Sequence, residues 1–154
     1  MRIYFSCSKD TFYPVNTSRV QWLQKDLDFK VAQWYWQQCQ CPLTHQTWIT
    51  AHEYGYQYAI IMEADQPVTC AGVWRFSDIA WEVAAVSTLS PYRKRGYAKQ
   101  VVSFVTAYIL GANRLATCGT SEGNTAMIAT AESVGFQIVP QEAVWWKYPE
   151  LPNF

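Results

Sequence analysis

The sequence has no apolar run near the roughly 20 residues that cross a bilayer, and no excess of either charge, with 12 cations against 12 anions. The first lack excludes a helical membrane span. The second excludes a surface built to coat nucleic acid, so any basic site must be local. The N-terminal "MRIYFSCSKD" has too short an apolar stretch for a signal peptide. Histidine is scarce, at two residues. The five cysteines are an odd number and form no C-x-x-C pair; Cys39 and Cys41 are spaced C-x-C with no second pair after them. A zinc knuckle is therefore not indicated. Without a secretion signal, reduced thiols in a cytoplasmic protein are the expectation. Internal repeats, low-complexity tracts and long linkers are also missing.

What remains is a chain of 154 residues, half of them hydrophobic, with eight Trp and ten Tyr. That is one domain's length, enough to bury roughly 68–70% of the unfolded surface. "MRIYFS" reads as a first strand. From Ser18, Val20, Leu23, Leu27, Val31 and Trp34 fall at helical spacing, with a break near Asp28 and a stop at Pro42. A second short helix follows Thr44 and ends at Gly55. "YQYAIIMEA", "VTCAGVWRF" and "WEVAAVSTL" read as an antiparallel meander. "YAKQVVSFVTAYILGAN" is helical, "RLATCGTS" a strand, and "NTAMIATAESVGF" a helix between Asn124 and Gly135. "FQIVP" and "AVWWKY" read as closing strands. The expected order is βααβββαβαββ: an α+β domain with one mixed, mostly antiparallel sheet and helices on both faces.

One short stretch carries the chemistry. "SPYRKRGYAKQ" gathers Arg93, Lys94 and Arg95 where a helix begins. A helix N-terminus is already positive, so cations there repel unless an anion is expected. Gly96 lets backbone N–H groups approach a ligand closely, and Ala98 keeps the next turn small. A strand, a loop and a helix N-terminus in this order make a diphosphate cradle. A Walker loop or a dinucleotide fingerprint needs more glycines than this loop has. A solvated basic loop is the plain alternative. Upstream, Glu82 is a lone carboxylate in "WEVAAV". Glu is depleted in strands, and burial raises its pKa toward the range of a general base. A solvent-facing Glu at the strand's start fits equally well.

Arg93-x-x-Gly96-x-Ala98, followed by an apolar helix, resembles the pyrophosphate loop of the GNAT superfamily of acyl-CoA N-acyltransferases. "NTAMIATAESVGF" is similar to that family's later helix, with Asn124 and Gly135 at the family's usual spacing. The resemblance covers 56–148 as a cofactor-binding core. It covers 1–55 only as a variable N-terminal helical part, within a single domain of 1–154. It implies acetyl-CoA as co-substrate. The strand amides of Val86, Ser87 and Thr88 would take the pantetheine arm. The diphosphate would sit on the N–H groups of Arg93 to Lys99, chiefly Arg95, Gly96, Tyr97 and Ala98. Asn124 would contact the cofactor arm, although a helix N-cap is as good a role for it. Glu82 stands at the base position of the family's histone-type branch. The reaction implied is acetyl transfer to a primary amine of a small molecule, peptide or protein, by direct attack in a ternary complex. The positions where the family places an acid hold Ala131 and Met127, which leaves open a non-catalytic acyl-CoA-binding module. Tyr148 or another C-terminal tyrosine is available for that role, and nothing in the sequence selects it. His45 and His52, seven apart, border the acceptor region that the resemblance implies. Cys39 and Cys41 read as small core residues, and Trp34, Tyr35, Trp36 and Trp48 as core aromatics. The expected partners are an amine acceptor and acetyl-CoA, with neither nucleic acid nor membrane, in a monomer or homodimer.

Overall fold

A computed structural model describes residues 1–151. Seven strands form one sheet: β1 (Arg2–Cys7), β2 (Val20–Trp22), β3 (Tyr56–Glu63), β4 (Gln66–Trp74), β5 (Ala80–Thr88), β6 (Leu115–Ser121) and β7 (Gln137–Val139). Their order across the sheet is β2-β3-β4-β5-β6-β1-β7. Only β5 and β6 pair in parallel among the described residues. The helices are α1 (Phe29–Gln38), α2 (His45–Glu53), α3 (Tyr97–Gly111) and α4 (Thr125–Val134). The α+β class and the single mixed sheet are as expected.

The two faces of the sheet carry separate cores. Val101, Val105 and Ile109 of α3, with Ala131 and Val134 of α4, pack on Phe5, Val73 and Val83. On the other face, Tyr35 of α1 and Trp48 of α2 pack on Ile60 and Cys70. The period-2 alternation of the strands assigns each residue to one face or the other. Burying both faces accounts for the near-continuous burial of β4.

Two elements differ from the sequence reading. Val20 does not start a helix; Val20–Trp22 is a strand paired with Ala59–Ile61 of β3. Val20 and Trp22 share a face, and Trp22 meets Phe104 and Tyr108 of α3 at centroid distances of 5.2 and 5.1 Å. Leu27, the third residue of the assumed stripe, is 81% exposed. The turn before α1 is closed by the Asp28 carboxylate, which accepts from the Gln24 N–H at 2.6 Å. A pattern at i, i+3, i+7 is also met by a short strand followed by a turn, and here the pairing with β3 wins. The first 55 residues thus supply two strands as well as two helices.

The second difference is at the C-terminus. "AVWWKY" is not a strand. After β7 the chain makes a 3-10 turn at Gln141–Ala143 and continues irregularly. The slot between β6 and β7 belongs to β1, which pairs antiparallel with both, Phe5 opposite Cys118 and Ile138. Residues 144–148 pair with no described strand, although β7 stands at the edge of the sheet.

The end of α4 packs tightly on the N-terminal loop. Gly135 has φ +105°, and a Cβ there would drive into the carbonyl of Thr11. The Tyr13 N–H donates to the Val134 carbonyl at 2.8 Å in the same place. Gly135→Ala should therefore destabilise the protein by at least about 2 kcal/mol, combining left-handed strain with a backbone clash. In thermal unfolding that is a fall of at least about 4 °C; an unchanged midpoint would show that the loop yields freely.

Candidate active site

β5 and β6 pair only from Ala80–Leu115 to Glu82–Thr117 and then part. The cause lies in β5. Across the β4 ladder, Gly72 faces Ala84 and Cys70 faces Ser87, so β5 holds one extra residue at this point. Ala85, in that bulge, has φ +54°. A bulge bends its strand and sharpens its twist. It also changes which side chains face which way. Glu82 lies opposite Trp74, and Ser87 lies opposite Cys70 on the same face, although five residues separate them. Without the extra residue one of the two would point to the other face. The Ser87 hydroxyl hydrogen-bonds that of Tyr35 at 2.7 Å, which ties α1 to the parted strand.

The loop after β5 leads into α3 through two left-handed positions, Lys94 at φ +64° and Gly96 at φ +79°. Among the described residues no side chain caps α3. Its first intrahelical bond runs from the Gln100 N–H to the Gly96 carbonyl. The N–H groups of Tyr97, Ala98 and Lys99 thus have no partner within the helix, at its positive end. A Cβ on Gly96 would meet nothing within 4 Å. The backbone here needs glycine for its φ, and the open space lies on the ligand side.

These groups border one cleft of about 600 Å³. Val86, Ser87 and Thr88 line its strand side; Arg93, Lys94, Gly96, Tyr97, Ala98 and Lys99 line its loop and helix side. Asn124, Met127 and Thr130 close it from α4. Asn124 combines both roles considered for it: its Oδ1 accepts from the Met127 N–H at 3.2 Å as the cap of α4, and the residue lines the cleft. Arg95 is placed differently. It lies over the Tyr92 ring and reaches Glu63 at 3.5 Å, outside the cleft lining. Lys94 takes its place there. The sequence held the signal in three adjacent cations, but which one faces inward depends on the left-handed turn at Lys94. The donors, the cations and the length of the cleft fit a diphosphate joined to an extended arm, which is the shape of CoA.

At the inner end of the opening stands Glu82. Loss of solvation pushes its pKa up to about 7, with Arg2 opposing the rise. No hydrogen bond holds its carboxylate among the described residues. Around it the sheet surface is aromatic. Trp74 stacks on Tyr56 at 5.3 Å, and Tyr148 lies against Trp74, Phe76 and Tyr4 at 6.0, 4.7 and 6.1 Å. The aromatic surface continues through Tyr58 to a second pocket of about 250 Å³ lined by Trp36, Leu43, Trp48 and Cys41. Cys41 is exposed and Cys39 only partly covered, so Cys41 is not the core residue expected from sequence. His45 packs its edge on Phe29 and His52 on Trp48, and burial lowers the His52 pKa. Both histidines lie on α2, beside the aromatic pocket but not in its lining. Ala131 is fully buried, and Met127 lines the cleft without a proton to give.

No curated protein sequence matches the chain. Solved structures do. A GNAT-family protein from Novosphingobium aromaticivorans superposes with a TM-score of 0.73 at 20% identity, over 90% of this chain and 59% of that one. A GNAT-family acetyltransferase from Colwellia psychrerythraea gives 0.68 at 13% identity, over 89% of this chain and 52% of that one. The chain therefore spans little more than half of these relatives. An aminoglycoside N-acetyltransferase in complex with CoA gives 0.60 at 16% identity, over 88% of this chain and 96% of that one. At these identities the likeness is one of fold. The model of the acetyltransferase (GNAT) domain matches residues 15–137. The match covers most of the chain and both halves of the cleft, and the chain belongs to the GNAT acetyltransferase family.

Proposed function

We propose that the protein is an acetyl-CoA-dependent N-acetyltransferase that acts on a primary amine of a small molecule, a peptide or a protein. The observation that carries this reading is an uncapped, cation-flanked helix N-terminus on a cleft along the parted β5, with a lone carboxylate of pKa near neutrality at the last pair before the strands part. Arg93, Lys94 and Lys99 with the N–H groups of α3 hold the diphosphate, and the freed edge at Val86–Thr88 holds the arm. Acetyl-CoA supplies an acyl group activated as a thioester. Glu82 accepts a proton from the ammonium form of the acceptor and leaves a nitrogen lone pair free to attack. The amine is seated on the aromatic floor of Tyr56, Trp74 and Tyr148, since each aromatic face attracts a cation by about 0.5–2 kcal/mol. Transfer is direct, in a ternary complex of a monomer or homodimer, with no nucleic acid partner and in a cytoplasmic setting. No described helix is long and apolar enough to cross a membrane.

A second reading is an acyl-CoA-binding module without turnover. Ala131 and Met127 favour it, since neither can protonate a leaving group. Thiol release from acetyl-CoA with a panel of amines separates the two readings. Release by at least one amine is expected; CoA binding with no release from any amine favours the module.

CoA should stabilise the protein by about 2.7 kcal/mol at a hundred times its dissociation constant. Gly96→Glu should abolish that stabilisation, because it places a carboxylate at the anion seat. Thermal unfolding with millimolar CoA measures both. A flat response in the native protein would overturn the cofactor assignment.

Glu82→Gln should lower kcat by roughly 10²–10⁴-fold and remove the acidic limb of the rate profile near pH 7. Stability provides a second check. The folded-state pKa of Glu82 is raised from 4.5 to about 7, so its contribution is favourable at low pH and is lost as pH rises between those values. The native protein should lose about 3 kcal/mol relative to Glu82→Gln between pH 4.5 and pH 8. Parallel pH–stability curves for the two proteins would place the carboxylate in water.

A further inference from the structure

The second, aromatic pocket has no part in the chemistry derived above. Its walls are Trp36 of α1, Trp48 of α2 and Tyr58 of β3. Trp36 meets the Tyr58 ring edge-on at 4.9 Å, and Trp48 lies nearly parallel to it at 5.9 Å. No residue of the lining carries a charge. The volume of about 250 Å³ is small for a drug-sized ligand. An apolar cavity of about 150 Å³ is enough for benzene, so this one suits a single ring with a short arm.

The sheet register connects this pocket to Glu82. Tyr56, Trp74 and Glu82 form one row across β3, β4 and β5, and Tyr58, Gly72 and Ala84 form the next row on the same face. The row after that is Ile60, Cys70 and Ser87. Stacked rings stand on the first row, and Tyr35 covers the third, tied to Ser87. The middle row holds a glycine and an alanine, so it forms a trough between two higher rows. The Tyr58 ring lies over the glycine, where a Cβ would come within 2.9 Å of it. That ring is therefore the floor of the trough at the pocket end. Two strands and one two-residue step separate Tyr58 from Glu82, about 12 Å between Cα positions at ordinary sheet spacings. An amine on an arm of a few carbons spans that gap once the two side chains reach toward each other.

Charge narrows the occupant further. Among the described residues, neither the lining of this pocket nor that of the larger cleft includes a carboxylate. Glu82 is thus one anion for one ammonium. A polyamine or an aminoglycoside brings several positive charges and finds no second carboxylate on these walls.

We propose that the acceptor is a primary monoamine bearing one uncharged aryl ring on a short carbon arm, with the ring in the pocket of Trp36, Trp48 and Tyr58 and the nitrogen at Glu82. This rests on the acetyltransferase reading above and narrows its substrate class. Walls that stand edge-on and parallel to one another offer a flat ring both of the arrangements that aromatic pairs prefer. A saturated chain would gain burial there but not this geometry.

Binding to the CoA-saturated protein tests the proposal without turnover, at pH 8, where Glu82 is ionised. 4-Phenylbutylamine should bind about 10- to 100-fold more tightly than butylamine, the preference that burying one phenyl ring confers. Spermidine and the aminoglycoside kanamycin should bind no more tightly than butylamine at physiological salt. Cys41 lines the pocket and is exposed, so a benzyl disulfide formed on it after folding fills the space. That label should bring the affinity for 4-phenylbutylamine down to that of butylamine, leave the CoA-induced thermal shift at its native value, and be reversed by dithiothreitol. Trp36→Ala should shrink the ratio of the two monoamine affinities by about 10-fold. Equal affinities for the two monoamines in the native protein, tighter binding of either polycation, or a preference untouched by both the label and Trp36→Ala overturns the proposal. With the CoA-induced shift present, each of these results leaves the acetyltransferase reading standing. The absence of that shift in the native protein overturns the proposal through the cofactor assignment on which it rests.

Discussion

The parting of β5 from β6 is the constraint on which the rest of the site depends. Two parallel strands that stayed paired would satisfy each other's backbone groups and leave no donors for a ligand. Here pairing stops at Glu82–Thr117, and the extra residue at Ala85 bends β5 away. Holding an alanine at φ +54° costs roughly 1–2 kcal/mol. That cost is offset by the packing around it. Ser87 is tied to Tyr35, and Thr69 donates its hydroxyl to the Ser87 carbonyl at 2.8 Å. Strain stored in a strand edge and held by its neighbours is a common companion of a binding site.

The bulge also sets the polarity of the cleft. It places Glu82 and Ser87 on the same face of the sheet, so the carboxylate and the freed strand edge serve one opening. α3 then enters from the far end with its N–H groups uncapped. The Arg93 guanidinium donates to the Thr88 carbonyl at 3.0 Å, joining the loop to the end of the strand. Arg95 pairs with Glu63 and so fixes the outer side of the same loop. Two cations of the trio thus hold the loop in place, and Lys94 between them lines the cleft.

How far this was legible in the sequence depends on how local each feature is. The left-handed glycine at 96, the caps of α4 and the cation run are all set within a few residues, and they stand where the sequence puts them. Glu82 is legible through its chemistry, as a carboxylate among apolar strand residues. The misplaced features depend on distant partners. Val20 becomes strand because Ile61 lies beside it, 41 positions along the chain. β1 reaches its slot by pairing with residues more than a hundred positions away. No short-range pattern in "AVWWKY" tells that the segment packs on the distant rings of Tyr4, Trp74 and Phe76 rather than pairing as a strand. Tyr148 is for the same reason one tyrosine among ten until Tyr4, Trp74 and Glu82 are brought to it.

The sheet topology and the chemistry meet at one place. β1 carries Arg2 and Tyr4 onto the face that holds Glu82, and Arg2 moderates the rise in the Glu82 pKa without forming an ion pair among the described residues. A full salt bridge would pull the carboxylate back to its ordinary range and make it too weak a base near neutrality. With no cation at all, the carboxylate would stay protonated to higher pH and be short of its basic form. A cation at a distance gives the intermediate case, in which both protonation states are accessible near pH 7. The aromatic rings complete the balance. They reduce its contact with water, and their faces suit the positive charge of the acceptor amine proposed above. A carboxylate kept without hydrogen bonds on an apolar floor makes poor sense as a stabilising element. It makes good sense as a group waiting for a proton.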